Sequence, residues 1–205
     1  MKRFVDIVIA SIAILFLSPV FLFVAYKVRK HLGSPIFFCQ ERPGKDGKIF
    51  KMIKFRSMKN ALDPQGNLLP DEQRITPFGQ KLRATTLDEM PQLFNVLKGD
   101  MSIVGPRPQM PEFLEYYTTD QMRRHEVKPG MTGLAQVSGR NNLSWEEKFN
   151  LDVQYVENHN ILLDFKIMLK TVDVMLKREG INAPNQTVGS SRFTGSESQS
   201  GSIVK

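Results

Sequence analysis

One cysteine stands in a chain of 205 residues, and that scarcity excludes an intrachain disulfide and a cysteine-based zinc site. A reducing compartment suits such a chain. Cys39 lies between Phe38 and Gln40 in an apolar run, which reads as a buried, inert thiol rather than a nucleophile. The signatures GxxxxGK[ST] and GxGxxG are also missing, so there is neither a Walker loop nor a dinucleotide-binding turn. No internal repeat runs through the chain. No nucleic-acid-reading motif accompanies its basic residues, which argues against a nucleic-acid partner.

What is present fits one globular domain with short appendages, and hence one active site. Hydrophobic residues make up 41% and charged residues 24%, ordinary values for a folded chain. The net charge of +7 is concentrated: ten basic residues between Lys27 and Lys59 face only Glu41 and Asp46, and the remainder is close to neutral. Such a block is drawn to anionic headgroups or phosphorylated substrates, at about 1 kcal/mol per basic residue near an anionic leaflet.

The block follows an uncharged run of twenty residues, Ile7 to Tyr26, which is preceded by Lys2, Arg3 and Asp6. That length crosses the ~30 Å hydrocarbon core as a helix. It is long for a signal-peptide core, and no small-residue cleavage site precedes Lys27. Ser18-Pro19 interrupts it near the middle. Proline removes a donor and disturbs the carbonyl of Leu15, with the Ser18 hydroxyl at hand to help satisfy it. Basic residues flank both ends, and the positive-inside rule favours the cytoplasm for each. One straight span cannot satisfy that, so a re-entrant anchor over residues 1–32 is favoured over a kinked single span.

The expected fold is α+β and mainly helical, with amphipathic helices around a catalytic core over residues 33–181. Extended segments around Pro35–Cys39 and Ile49–Arg56 form a small β-hairpin through the Gly44–Gly47 turn. Residues 60–74 read as a loop. In DEMPQLFNVLKGD, Pro91 is tolerated only in a first turn, so a helix is expected from an Asp88 cap to just before Gly99. Ser144 and Glu147 form a capping box opening a helix with Trp145, Phe149, Val153 and Val156 on one face. A second stripe, Ile161, Phe165, Met168, Leu169, Val172, Met175 and Leu176, ends at Gly180 and reads as core, with a membrane-interface face as the alternative. Residues 182–205, rich in Ser and Gly, read as a disordered tail.

Asp88 and Glu89 are adjacent carboxylates at a helix start. They can serve simply as caps. They can also bind a hard divalent cation shared with substrate phosphates while one of them attacks phosphorus. Turn-rich basic motifs follow: Gly105-Pro106-Arg107-Pro108, Lys128-Pro129-Gly130-Met131-Thr132-Gly133 and Gln136-Val137-Ser138-Gly139-Arg140. Arginine suits phosphate through its planar fork, and glycine lets backbone approach a ligand.

The order KFRSM, LDEMPQLFNVLKGDMSIVGPRP, KPGMTGLAQVSGR, after a basic-flanked apolar segment with Ser18-Pro19 at its centre, closely resembles the small monotopic phosphoglycosyl transferases, a group of bacterial sugar transferases. The resemblance covers about residues 1 to 180. It implies an enzyme at the cytoplasmic face of the bacterial inner membrane, performing the first membrane step of glycoconjugate assembly. It further implies that Asp88 attacks the phosphate next to the sugar of a UDP-sugar, expels UMP and passes the phosphosugar to undecaprenyl (polyprenyl) phosphate. Glu89 is implied to help organise Mg²⁺ with Asp88, Arg107 to hold phosphate, Arg140 to contact the nucleotide, and Lys54 and Arg56 to form a substrate-binding basic pair near the membrane. Two other readings stand beside it. One is a membrane-tethered module binding anionic lipid or nucleic acid through the basic block, with nothing catalytic. The other is a metal-dependent phosphohydrolase in which water replaces the lipid phosphate.

Overall fold

The computed structural model describes residues 1–139, 142–177, 193 and 195. A helix α1 (Lys2–Leu32) leads into a hairpin of β1 (Phe37–Pro43) and β2 (Ile49–Phe55), followed by α2 (Asp71–Arg74), α3 (Pro77–Ala84) and α4 (Gln92–Lys98). Then come β3 (Ser102–Val104), α5 (Thr119–Met122), β4 (Gly130–Thr132), α6 (Leu134–Ser138), α7 (Trp145–Asn158) and α8 (Ile161–Lys177). β1 and β2 pair antiparallel, with Phe37 opposite Phe55 and Pro43 opposite Ile49. β3 and β4 pair parallel, Ser102 with Gly130 and Val104 with Thr132. The protein is mainly helical with little sheet, as expected.

Helix α1 has 31 residues, about 46 Å at 1.5 Å per residue. It is long and apolar enough to cross a membrane and is mostly bare. It stays helical through Pro19, because the Ser18 hydroxyl donates to the Leu15 carbonyl at 2.8 Å and supplies the partner that proline withholds. One narrow face meets the rest of the protein. Ala10 packs with Met52, Leu93, Val96 and Met101, and Val24 and Val28 pack with Phe55, Leu82 and Met90. The rest, including Leu15, Phe16, Leu22 and Phe23, is exposed.

Polar contacts fasten both ends of α1. At the start, Lys2 donates to Asp164 at 2.5 Å and to the Val104 carbonyl at 3.0 Å. Arg3 donates to the carbonyls of Val96 and Leu97, the last turn of α4, where a cation meets the negative helix end. Asp6, buried, accepts from the Ser102 hydroxyl at 2.9 Å and the Ile103 amide at 3.0 Å. At the far end Arg56 donates to the carbonyls of Leu32 and Ser34, and His31 stacks on Phe78 with ring centres 4.6 Å apart.

Three expectations need correction. Cys39 is exposed, because β1 turns this side of the hairpin to solvent and its neighbours Phe37 and Phe38 are exposed as well. The dyad does not open a helix at an Asp88 cap. Thr86 takes a left-handed backbone (φ 55°), a one-turn 3₁₀ segment covers residues 87–89, and α4 begins only after Pro91. The proline thus remains outside the helix interior, as its missing donor demands, and α4 ends at Gly99 (φ 100°) as expected. The third correction concerns α8. Ile161, Leu162, Phe165, Leu169, Val172 and Met175 are exposed, while Ile167 and Val174 on the opposite side are buried. Its apolar residues form two faces, only one of them core.

The reading of α7 survives. Ser144 accepts from the Glu147 amide at 3.2 Å and Glu147 accepts from the Ser144 amide at 2.7 Å, the reciprocal cap expected. Phe149, Val153 and Val156 are buried. Phe193 also joins this core, buried against Phe113, Tyr117 and Phe149. Apart from it and Gly195, the expected tail lies outside the described residues, as does Gly180.

Candidate active site

The turn 87–89 is held from two sides. Asn95 in α4 accepts from the Ile53 amide at 3.0 Å and donates to the Lys51 carbonyl at 2.8 Å, so α4 and β2 are locked together. Lys54 then faces Glu89. On the other side, the loop after β3 brings Arg107. Its two terminal nitrogens reach the Glu89 oxygens at 2.6 and 3.2 Å, and the Lys54 ammonium reaches Oε1 at 2.9 Å. Arginine's planar fork matches a carboxylate in this way.

The two carboxylates therefore live in opposite environments. Burial disfavours the Glu89 charge, but Arg107 and Lys54 outweigh it and hold the group well below the usual carboxylate range. Asp88 is buried and makes no hydrogen bond among the described residues. Burial first, and the Glu89 charge second, push its pKa from 3.8 to about 6. Lys54, Arg83 and Arg107 pull the other way and do not prevail. One carboxylate is thus neutralised by cations, whereas burial and the Glu89 charge disfavour ionisation of its neighbour. Burial pulls the Lys54 ammonium down, and Glu89 offsets part of the effect.

Two of the motif glycines are required where backbone meets backbone. A Cβ on Gly105 would stand 2.4 Å from the Lys128 carbonyl oxygen, and one on Gly130 would stand 2.1 Å from the Gly105 amide nitrogen. Gly105 donates to the Thr132 carbonyl at 2.9 Å and Gly130 to that of Pro106 at 2.9 Å. The GPRP and KPGMTG motifs are two faces of one backbone contact, and it fixes the loop that delivers Arg107.

Asp88, Glu89, Lys54 and Arg107 are thus brought together. Arg56 is not part of this group: its hydrogen bonds go to the end of α1. Arg140 lies outside the described residues. Ser18 and Pro19 sit in the middle of the bare helix α1. Two further arginines were not singled out in the sequence. Arg83, in α3, donates to the Ser57 hydroxyl at 2.9 Å and acts electrostatically on Asp88. Arg42, in β1, donates to Gln40 at 2.8 Å and lies close enough to Glu89 and Arg107 that burial and the Arg107 charge lower its pKa to about 10. Strand periodicity holds the signal for Arg42: pairing puts Phe38 opposite Lys54 and Arg42 opposite Phe50, so Arg42 and Lys54 share a hairpin face.

Among the described residues, no group of three or more His, Cys, Asp or Glu side chains could hold a metal. The dyad offers carboxylate oxygens only, which fits a Mg²⁺ ion bound by one or two carboxylates together with substrate phosphates rather than an all-protein cage.

A bare apolar helix fastened to a domain that presents a buried aspartate beside a cation-held glutamate is one pattern, and its residues match a described family. The bacterial sugar transferase family matches residues 1–178. The chain belongs to this family. Within it, an uncharacterized sugar transferase, EpsL, from Bacillus subtilis (strain 168) is 52% identical over 96% of this chain and 96% of its own length. The undecaprenyl-phosphate galactose phosphotransferase of Salmonella typhimurium is 42% identical over 88% of this chain, and the UDP-glucose:undecaprenyl-phosphate glucose-1-phosphate transferase of Klebsiella pneumoniae is 40% identical over 83%. The chain spans 41% and 39% of the length of those two transferases.

Proposed function

We propose that this protein transfers a phosphosugar from a UDP-sugar to undecaprenyl phosphate at the cytoplasmic face of the inner membrane, with Asp88 as nucleophile. The observation that carries this reading is the asymmetry of the dyad: a buried Asp88 whose carboxylate has no hydrogen-bond partner among the described residues, beside a Glu89 held by Arg107 and Lys54. Two family relatives are named for undecaprenyl-phosphate transfer of this kind, which supports the same chemistry here.

In the first step an Asp88 oxygen bonds to the phosphorus adjacent to the sugar. The bond from that phosphorus to the bridging oxygen of UMP breaks, UMP leaves with the electron pair, and an aspartyl phosphosugar remains. In the second step a phosphate oxygen of the lipid attacks the same phosphorus and Asp88 leaves as carboxylate. Desolvation raises the basicity of Asp88 and removes water that would otherwise have to be stripped from it. Arg107 and Lys54 leave Glu89 for the incoming phosphates and offset their charge, which in turn frees Glu89 oxygens. Asp88 and Glu89 would then share Mg²⁺ with the phosphates, and the ion would supply charge neutralisation on the phosphoryl oxygens. Arg140 is assigned to the nucleotide, and Arg56 to the anchor rather than to substrate.

The re-entrant anchor belongs to the same reading. Both ends of α1 are fastened to one domain, by Lys2, Arg3 and Asp6 at one end and by Arg56 at the other, while the exposed middle is apolar. A helix that enters one leaflet and returns keeps both ends with that domain. The exposed face of α8 adds apolar surface suited to the interface.

The test is incubation of purified protein with UDP-sugars and undecaprenyl phosphate. UMP should appear only with lipid phosphate present or as a single stoichiometric burst without it, and the trapped phosphosugar should map to Asp88 by mass spectrometry. Continuous UMP release without lipid would instead identify a phosphohydrolase.

A further inference from the structure

We propose that Arg124 is a positioning residue for this transferase, fixing the loop that carries Arg107 and thereby the aim of the Arg107 guanidinium. The proposal rests on the assignment of Arg107 to substrate phosphate made above.

Arg124 is almost wholly enclosed, its side chain 1% exposed. One terminal nitrogen donates to the Tyr117 hydroxyl at 2.6 Å, and the other donates both to Asp152 at 2.6 Å and to the backbone carbonyl of Arg107 at 2.7 Å. The rings of Tyr117 and Phe149 lie 5.4 and 5.0 Å from the guanidinium centre. The short turn that bears it, residues 123–125, is itself tied down, with the His125 ring bonded to the Gly44 carbonyl at 3.1 Å. One rigid fork therefore joins three separate chain segments, and the only one of its three oxygen partners that belongs to the catalytic loop is the main chain of Arg107.

Stability does not account for this arrangement. A buried ion pair gains little over apolar residues of the same volume, because desolvation of both charges opposes their attraction. What the pair does supply is direction: Asp152 and Tyr117 orient the guanidinium, and the guanidinium holds one carbonyl in one place. Glu89 holds the Arg107 guanidinium in the resting site, but that side chain is 44% exposed and must leave Glu89 for substrate phosphate, so its backbone is where it stays steadied. The glycine contact of Gly105 with Gly130 fixes the loop before Arg107, and Arg124 fixes it at Arg107 itself.

The experiment is a thermodynamic cycle on UMP release. Arg124→Met/Asp152→Leu/Tyr117→Phe removes the network together with its charges and keeps the volume. Arg124→Lys, the companion, keeps the charge opposite Asp152 but lacks the fork. Each should melt cooperatively and lower kcat/KM by about 10- to 100-fold, the scale of a misaimed contact. In an Arg107→Ala background the same changes should cost less than about 3-fold, since the group they aim is gone. Equal losses in both backgrounds, or no loss with Arg107 present, would overturn the proposal. A second readout needs no substrate: the Arg107 side-chain Nε–H relaxation by NMR in the ligand-free protein should show greater mobility in both variants, and unchanged relaxation also overturns it. This arm decides the role of Arg124 in either folded variant even if the unaltered protein releases no UMP from any UDP-sugar, a result that would refute the reaction alone.

Discussion

Replacing Asp88 by Asn should abolish transfer and, at neutral pH, make the protein more stable. Asp88 binds its proton more tightly folded than unfolded, since its pKa rises from 3.8 to about 6. Ionisation therefore weighs against the fold. The cost is absent below about pH 4, grows between about pH 4 and 6, and is complete above that. At about 1.4 kcal/mol per pKa unit the full cost is about 2 to 3 kcal/mol. Asparagine has nearly the same shape and carries none of it. For a domain of this size the gain corresponds to about 5 to 10 °C in melting temperature. The assay is thermal unfolding of both proteins in EDTA, so that no divalent ion rewards the carboxylate, at pH 7.5 and pH 4. The difference should be present at the first pH and shrink towards zero at the second. An Asn variant less stable than the parent at pH 7.5, or a difference independent of pH, would refute the claim that Asp88 is held charged against its environment.

Glu89→Gln should leave at most a small residue of activity and weaken the Mg²⁺ requirement, measured by metal titration of UMP release, because Arg107 and Lys54 lose the carboxylate that collects them. Arg107→Ala and Arg140→Ala should each lower transfer by the value of a charge-assisted contact, about 1.5 to 3 kcal/mol, with cooperative melting retained; loss of the melting transition would make them structural instead. Phe193→Ala should cost about 3 kcal/mol of stability through the aromatic cluster with Phe113, Tyr117 and Phe149, and an unchanged denaturation midpoint would refute that packing. Ser18→Ala/Pro19→Leu should move the N-terminus at least partly to the periplasm, read as labelling of a cysteine inserted after Met1, with Lys2 kept, by an impermeant thiol reagent in intact cells in a Cys39→Ser background; labelling without the Ser18 and Pro19 changes would leave a kinked single span.

Local rules reached far into this fold. The Ser144 box, the Gly99 stop and the hairpin turn depend on neighbouring residues alone, and each stands where the pattern put it. So does the hydroxyl of Ser18 on the Leu15 carbonyl. Failures came where tertiary contact decides. Helical spacing marks α8 as amphipathic, but it cannot say that Leu162, Phe165 and Leu169 are exposed. Periodicity is equally silent on the parallel pairing of β3 with β4, two three-residue strands whose register is set by Gly105 meeting Gly130. The motif resemblance named Asp88, Glu89, Lys54 and Arg107, which the structure brings together, whereas Arg83 and Arg42 required knowing which faces meet. Arg56, two residues from Lys54 and of the same charge, bonds the carbonyls of Leu32 and Ser34 and does not join the group around Glu89, a difference no spacing could show.

The same contacts link the long apolar helix α1 to a site it does not enter. Lys54 is followed directly by Phe55 and Arg56, which pack on Val24 and Val28 and hold the carbonyl of Leu32 at the far end of α1. Arg107 stands three residues beyond Val104, whose carbonyl accepts from Lys2, and β3 is pinned through Ser102 and Ile103 to Asp6 at the near end. The two cations that hold Glu89 are therefore each a few bonds from opposite ends of the same helix. Glu89, bonded to both cations, is where these two braced segments meet. Fastening both ends of α1 to one domain thus braces, from the two ends of one helix, the segments that bring Lys54 and Arg107 to Glu89.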